Sequence, residues 1–298
     1  MPGFRKKIVK ASIDWLYQNT GWAISKVNEN VRNDLSLYCK LYEREDVMKR
    51  RFYNIGAGKF VHAAWTNVDY SSEWYKENKI DINFDLMLNQ ALPVDDETAN
   101  IVYSSHTIEH IPTNSAQNMF NESFRILRTG GILRLTTPNI DLDYRACTNE
   151  DKEYFYWMGE YSEPENMARA AIGRRMCDVS LKQVFLHHFA SQVSELHANP
   201  TTNKISDVEF DEIFGAMEYE DALDFCVSRC SLELQRKYPG NHINWWNRRK
   251  LFRMLETAGF RKVWLSGYGQ SFAAVLRNTF YFDNTHPRVS IYVEALKE

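Results

Sequence analysis

The sequence has no apolar stretch approaching the ~20 residues that a helix needs to cross a bilayer, and its N-terminal residues have no signal-peptide core. Cysteine is sparse and odd in number: Cys39, Cys147, Cys177, Cys226 and Cys230. They are scattered, which excludes a disulfide framework and favours reduced thiols in a cytosolic protein. Cys226 and Cys230 are four apart, a spacing that suits neighbours on one helix face better than a zinc knuckle. There is no excess of basic charge, the formal net charge being -3, so nothing calls for a nucleic-acid partner. Internal repeats and low-complexity tracts are absent too.

What is present is ordinary globular material, 44% hydrophobic and 25% charged, and long enough at 298 residues for one large domain or a core with an insertion. Aromatic residues are plentiful, with 17 Phe, 16 Tyr and 8 Trp. At the N-terminus, Arg5, Lys6, Lys7 and Lys10 precede Ile13, Trp15, Leu16, Trp22, Ala23 and Ile24. That pattern fits a basic amphipathic helix on a membrane surface or docked in a complex. It fits equally a helix packed on the body with its charges in water.

Along the chain, residues 1–50 read as a helical segment with a polar break near Asn28–Asn33. Phe52–Ile55 is a strand ended by Gly56-Ala57-Gly58. Thr66–Val68 is a second strand closed by Asp69, and Ser71 is placed to cap a helix through Lys76. Lys79–Phe84 reads as a third strand ending at Asp85, and Ala99–Ser104 as a buried parallel strand. A helix opens at Asn114 or Ser115 and stops at Gly130-Gly131, and Ile132–Thr136 is a strand ended by Pro138. Residues 145–240 break this rhythm and read as a helical insertion over the site. The α/β pattern resumes over 241–298, with a helix at Trp245–Ala258 and strands at Arg261–Ser266 and Ser290–Ala295. Strands alternating with helices predict a doubly wound, mostly parallel sheet, with ligands at the carboxyl ends of the strands. The core is expected over 51–144 and 241–298.

The first strand, its glycine turn and the following acids form one constellation. A turn that brings backbone against a ligand needs residues without a Cβ, hence Gly56 and Gly58. Asp69, at the end of the second strand, can accept both hydroxyls of a ribose, and Asp85 is placed for an adenine amine. Tyr70, Leu86, Ser105 and His106, beside the same strand ends, complete the candidate contacts.

Tyr53-Asn54-Ile55-Gly56-Ala57-Gly58 resembles the first motif of class I S-adenosylmethionine-dependent methyltransferases. The run from Leu92-Pro93 through Asp96 and Asn100 to Ser104-Ser105-His106-Thr107-Ile108-Glu109-His110-Ile111 is similar to their fourth-strand motif. Phe124-Arg125-Ile126-Leu127-Arg128, with Gly130-Gly131-Ile132-Leu133, resembles the helix, turn and strand that follow. The resemblance is specific over about residues 50–140 and looser over 240–298. It implies a Rossmann-like seven-stranded sheet, S-adenosyl-L-methionine as cofactor, and Asn54, Gly56, Gly58, Asp69 and Asp85 as its contacts. Two features depart from the pattern. Asn54 stands where the family has an acid, and only ten residues separate Gly58 from Asp69. That shortness, with no third glycine, argues against a nicotinamide dinucleotide. It is similar to the subset of methyltransferases from polysaccharide-building pathways. Trp65-Thr66-Asn67-Val68-Asp69, Phe282-Asp283-x-Thr285-x-Pro287 and Ser290–Ala295 also resemble that subset.

Methyl transfer needs a nucleophile, the methyl carbon and the sulfur in line, and a hydroxyl nucleophile gains from a base that titrates near neutrality. His106 stands at the fourth strand end, with Glu109 and His110 expected one turn on along a helix face. Each serves either as base or as cap and orienter of that helix. Asp141, with Asp143, follows the fifth strand and either holds a substrate hydroxyl or is merely solvated. His242 either reaches in from the insertion or caps the next helix. His106-x-x-Glu109-His110 resembles the Glu-x-x-Glu-His magnesium site of small-RNA 2′-O-methyltransferases, yet the same strand-end motif is common without metal, and none is expected. His187-His188 reads as helix surface. The resemblance and the aromatic run Tyr154-Phe155-Tyr156-Trp157 point to a sugar or glycan acceptor methylated on oxygen. A strongly apolar pocket would point instead to a lipid, quinone or other small metabolite. A cofactor-binding partner without catalysis is the remaining alternative.

Overall fold

The computed structural model describes residues 11–13, 15, 16, 18–20, 34–71, 79–200 and 203–298. The basic residues Arg5–Lys10, the apolar Trp22–Ile24, the break near Asn28–Asn33 and the body of the helix expected after Ser71 lie outside the described residues. Among the described residues no helix is long and apolar enough to cross a membrane.

Two short helices, α1 (Leu35–Leu41) and α2 (Arg44–Met48), lead into β1 (Phe52–Ile55). β2 (Trp65–Asp69), β3 (Ile82–Asn83) and β4 (Ala99–Ser105) follow, then α3 (Thr113–Ile126) and β5 (Leu127–Pro138). A run of helices comes next: α4 (Ile140–Thr148), α5 (Pro164–Arg169), α6 (Leu181–Phe189), α7 (Asp207–Ala216), α8 (Tyr219–Ser228) and α9 (Leu232–Lys237). The chain closes with α10 (Arg248–Thr257), β6 (Lys262–Leu265) and β7 (Ser290–Leu296). The seven strands form one sheet in the order β3-β2-β1-β4-β5-β7-β6. All neighbours are parallel except β7, which runs antiparallel to β5 and β6.

Side chains alternate across the two faces, as the period of a strand requires. Ile55, Val102, Leu133 and Leu135 pack with Phe120, Trp246 and Leu255 on the face covered by α3 and α10. Phe52, Ile101, Tyr103 and Ile132 pack on the other face with Tyr38, Trp65, Val275 and Phe282. That second face is covered by α1, α2 and the segment before β7, since the nine residues between β1 and β2 leave no room for a helix. The helices between β5 and α10 have a core of their own, centred on Phe155, Phe185, Leu186, Phe210 and Leu223.

Several boundaries differ from the sequence reading, each for a local reason. α10 starts at Arg248, not Trp245, because the Asn247 side chain accepts a hydrogen bond from the Lys250 N–H and caps the helix there. Trp245 and Trp246 are instead buried, non-helical residues between the two cores. α3 ends at Ile126, ahead of the glycine pair, because Leu127 already pairs with Ala99 in the sheet. β3 shrinks to two residues. Just before it, the Asp81 carboxylate accepts the Asn67 N–H at 2.9 Å and pairs with Arg50. α8 stops at Ser228, so Cys230 falls beyond the helix that holds Cys226. All five cysteines are free.

Behind β5, Arg134 is fully buried between two buried carboxylates. It binds Asp283 at 2.5 Å and Glu294 at 3.0 Å, and donates to the Gly267 carbonyl at 2.9 Å. Replacing Arg134 with Met leaves both acids without their cation in a dry interior. That change is expected to cost about 3–5 kcal/mol, measured as a lowered midpoint in urea unfolding.

Candidate active site

At the carboxyl ends of β1, β2 and β4 lies a cavity of about 800 Å³. Its floor is the turn after β1. Gly56 (φ +70°) and Gly58 (φ +53°) take up the left-handed region that a Cβ disfavours. A Cβ on Gly56 would stand 2.2 Å from the Thr107 hydroxyl oxygen, so the turn after β1 and the turn after β4 meet here at a contact only glycine permits. The Gly56 N–H donates to the Val68 carbonyl at 2.8 Å, tying the turn to β2. Asn54 lines the cavity with its amide oxygen buried and unpartnered. A buried acceptor in that state calls for a donor from a ligand.

Asp69 is held by two main-chain donors, Gly58 N–H on Oδ2 and Tyr70 N–H on Oδ1, both at 2.7 Å. Burial raises its pKa against the pull of those two bonds. Each oxygen keeps a lone pair for a ligand hydroxyl. Tyr70 is exposed at the rim, and Leu86 and Ser105 are half-buried in the lining. Asp85 also lines the cavity, but both its oxygens are engaged. Oδ1 accepts the Met87 N–H at 2.9 Å, and Oδ2 pairs at 2.9 Å with Arg236 of α9. The cavity is completed by Phe60, Gln235, Arg236, Phe280 and Tyr281, none of which stands in a recognisable motif.

His106 lines the same cavity at the end of β4, in the left-handed region (φ +50°) that is costly for a side-chain-bearing residue. Its N–H donates to the Thr136 carbonyl at 2.8 Å, and Nε2 lies 2.8 Å from the Ser290 hydroxyl. Glu109 and His110 do follow closely, but on a 3-10 turn over Ile108–His110, not along an α-helix. The tighter winding turns Glu109 inward. Its carboxylate is buried, accepts the Thr137 hydroxyl at 3.0 Å, and lies 3.1 Å from His106 Nδ1. Burial pushes its pKa up, but the neighbouring imidazoles of His106, His110 and His242 outweigh that and bring it down to about 2.

His242 caps no helix. Its ring stands 4.6 Å from that of His110, and its Nδ1 bonds the His188 carbonyl at 2.6 Å. The insertion reaches this point through main-chain bonds, from Ile243 N–H to the Glu109 carbonyl and from Ser191 N–H to the His242 carbonyl. His188, read from sequence as helix surface, faces the same cluster. Its ring lies 5.4 Å from His242 and 4.7 Å from Trp157. Its Nδ1 is held at 2.7 Å by the fully buried Asp143, which also accepts the Tyr154 hydroxyl. Its neighbour His187 is inert, for burial pushes its pKa down to about 3. His286 closes the circle, 5.9 Å from His106 and 6.4 Å from Trp157.

Asp141 does not join this group. It is exposed on the first turn of α4 and accepts from Asn247, whereas Asp143, two positions on, points to the opposite side of the helix. Of the aromatic run, Phe155 is core, Trp157 lies against His188 and His286, and Tyr156 is exposed with its hydroxyl 3.2 Å from His286 Nδ1. His286 occupies an unassigned position within the Phe282–Pro287 motif, so nothing in its spacing singled it out.

Residues 55–135 match the family model described as a methyltransferase domain. No curated protein matches the chain. Among solved structures, the chain is similar to an S-adenosylmethionine-dependent methyltransferase from Thermotoga maritima. The identity is 12%, all of both chains is covered, and the TM-score is 0.37. It is also similar to one from Archaeoglobus fulgidus, at 12% identity over 90% of this chain and 94% of that chain, with a TM-score of 0.38. The domain match, with the seven-stranded sheet, identifies an S-adenosylmethionine-dependent methyltransferase, with S-adenosylmethionine as cofactor. The cavity fits that group, offering the glycine turn, the aligned Asp69 carboxylate and the free Asn54 oxygen.

Gly56→Ala is therefore expected to abolish measurable cofactor binding in calorimetry, through the clash with Thr107. Asp69→Asn keeps the shape but loses the charge that favours two hydroxyl donors. It is expected to weaken cofactor binding by about tenfold or more, since hydrogen bonds to a charged group contribute ~1.5–3 kcal/mol.

Proposed function

We propose that this protein methylates a hydroxyl group of a sugar or glycan. The reading is supported by the polar cluster beside the cofactor cavity, where His106, His110, His188, His242 and His286 gather with Trp157 near Glu109 and His106 and His110 face the cavity itself. An acceptor site for a lipid or quinone needs an apolar lining. This cluster brings imidazoles to the edge of the cavity, where His106 and His110 can meet hydroxyls. The sequence resemblance to polysaccharide-pathway methyltransferases points the same way.

In this reading Gly56, Gly58, Asn54 and Asp69 hold the cofactor, which supplies an electrophilic methyl group. His106 takes the proton from the acceptor hydroxyl. It is suited to this because it lines the cofactor cavity, and because the Ser290 hydroxyl, 2.8 Å from Nε2, fixes the direction of the ring. Trp157 and His188 orient the acceptor, with Asp143 keeping the His188 ring in place.

The test is methyl transfer from radiolabelled cofactor to a panel of free sugars, nucleotide sugars and oligosaccharides, with quinones and lipids as the contrasting set. Label in a sugar fraction is expected, and label confined to the apolar set would overturn the reading. His106→Ala is expected to lower kcat by about 10²-fold or more with cofactor affinity unchanged. A near-normal kcat would remove His106 from the role of base.

A further inference from the structure

Beyond the methyl-donor cavity, we propose that Glu109, His110 and His242 form a binding site for one first-row divalent cation of the zinc class. One ligand atom from each of the three lies within 4.8 Å of the others, close enough that a small side-chain adjustment brings all three to the ~2.0–2.2 Å of a single ion. The three come from two distant parts of the chain, the turn after β4 and the end of the insertion.

Three further features fit a cation. His110 Nδ1 lies 3.0 Å from the Asn241 carbonyl, and His242 Nδ1 lies 2.6 Å from the His188 carbonyl. A carbonyl only accepts, so each ring places a proton on Nδ1, and in the neutral ring that leaves Nε2 as the lone-pair atom. Fixing an imidazole by a backbone carbonyl on its far nitrogen is the usual support for a metal ligand. The third feature is Glu109 itself. The residue is 1% exposed, and although one oxygen accepts from Thr137, Oε1 is buried without an aligned hydrogen bond. His106 Nδ1 is 3.1 Å from that oxygen but out of line, and His106 falls outside the set of three.

Two imidazole nitrogens and one carboxylate oxygen are a donor set for zinc, cobalt, nickel, manganese or iron. Magnesium and calcium favour oxygen alone. Three protein ligands leave a coordination position open for water or an acceptor oxygen. That use of the ion, holding the acceptor hydroxyl, rests on the function proposed above, whereas binding of the ion does not.

The experiment uses the full chain, stripped with chelator and desalted, with no cofactor or acceptor present. Zinc uptake measured by mass spectrometry is expected to reach one equivalent per chain. Glu109→Gln and His242→Gln, checked for folding by circular dichroism, are expected to lose more affinity than the ~10- to 100-fold that follows loss of a supporting hydrogen bond. His106→Ala is expected to retain binding. Should either glutamine variant fail to fold, anomalous scattering at the zinc edge from wild-type crystals grown with zinc locates the ion directly, and a peak between the three side chains is expected. No stoichiometric uptake, uptake unchanged in folded Glu109→Gln and His242→Gln, a peak elsewhere, or a preference for magnesium over zinc would each overturn the proposal. Failure here with cofactor binding intact leaves the methyltransferase assignment standing.

Discussion

A carboxylate in the interior must be compensated, and in this molecule that requirement falls on Glu109. An unpaired charge at such a position costs several kcal/mol. One oxygen is met by the Thr137 hydroxyl on β5, and the rings of His106, His110 and His242 gather around the other from separate parts of the chain. Once those groups converge, much else is determined. The insertion must return to the end of β4, which it does through Ile243 N–H and Gln235, the latter bonding the His110 carbonyl at 2.9 Å. The histidine cluster is built around that one acid.

The cofactor side obeys a steric rule instead. The turns after β1 and β4 touch through Gly56 and Thr107, so the sheet edge that presents the glycine loop also fixes where His106 begins. Thr107 continues the contact with its hydroxyl 3.4 Å from the Ile55 and Gly56 carbonyls. The two halves of the site therefore share a backbone joint. His106 sits on that joint in a conformation that few residues adopt willingly, which gives its imidazole a fixed direction.

Much of this was legible before any coordinates. Strand positions followed from apolar runs that end in glycine or acid, and the missing helix between β1 and β2 followed from counting residues. Gly56, Gly58 and Asp69 were legible because strained turns and strand-end acids leave compositional marks. Other parts left none. The 3-10 turn at Glu109 shares its spacing with an α-helix, and only the winding decides which way the carboxylate points. His188 looked like surface because its partner Asp143 is 45 residues away in sequence. Asp141 and Asp143 looked alike until α4 sent them to opposite sides. The start of α10 at Arg248 depended on one asparagine cap that competed with an attractive pair of tryptophans.

The ion pair between Arg236 and Asp85 gives the cavity an added property. It spans the mouth from the insertion to the edge of the sheet, and Arg236 is half exposed while Asp85 is largely covered. Any ligand group that takes this Asp85 oxygen must share it with the guanidinium or displace it. A ligand that displaced Arg236 would be linked to the seating of α9, each loosening the other by an equal free energy. Salt weakens an ion pair that is half open to solvent, so ionic strength loosens this tie between α9 and the strand ends at the cavity mouth.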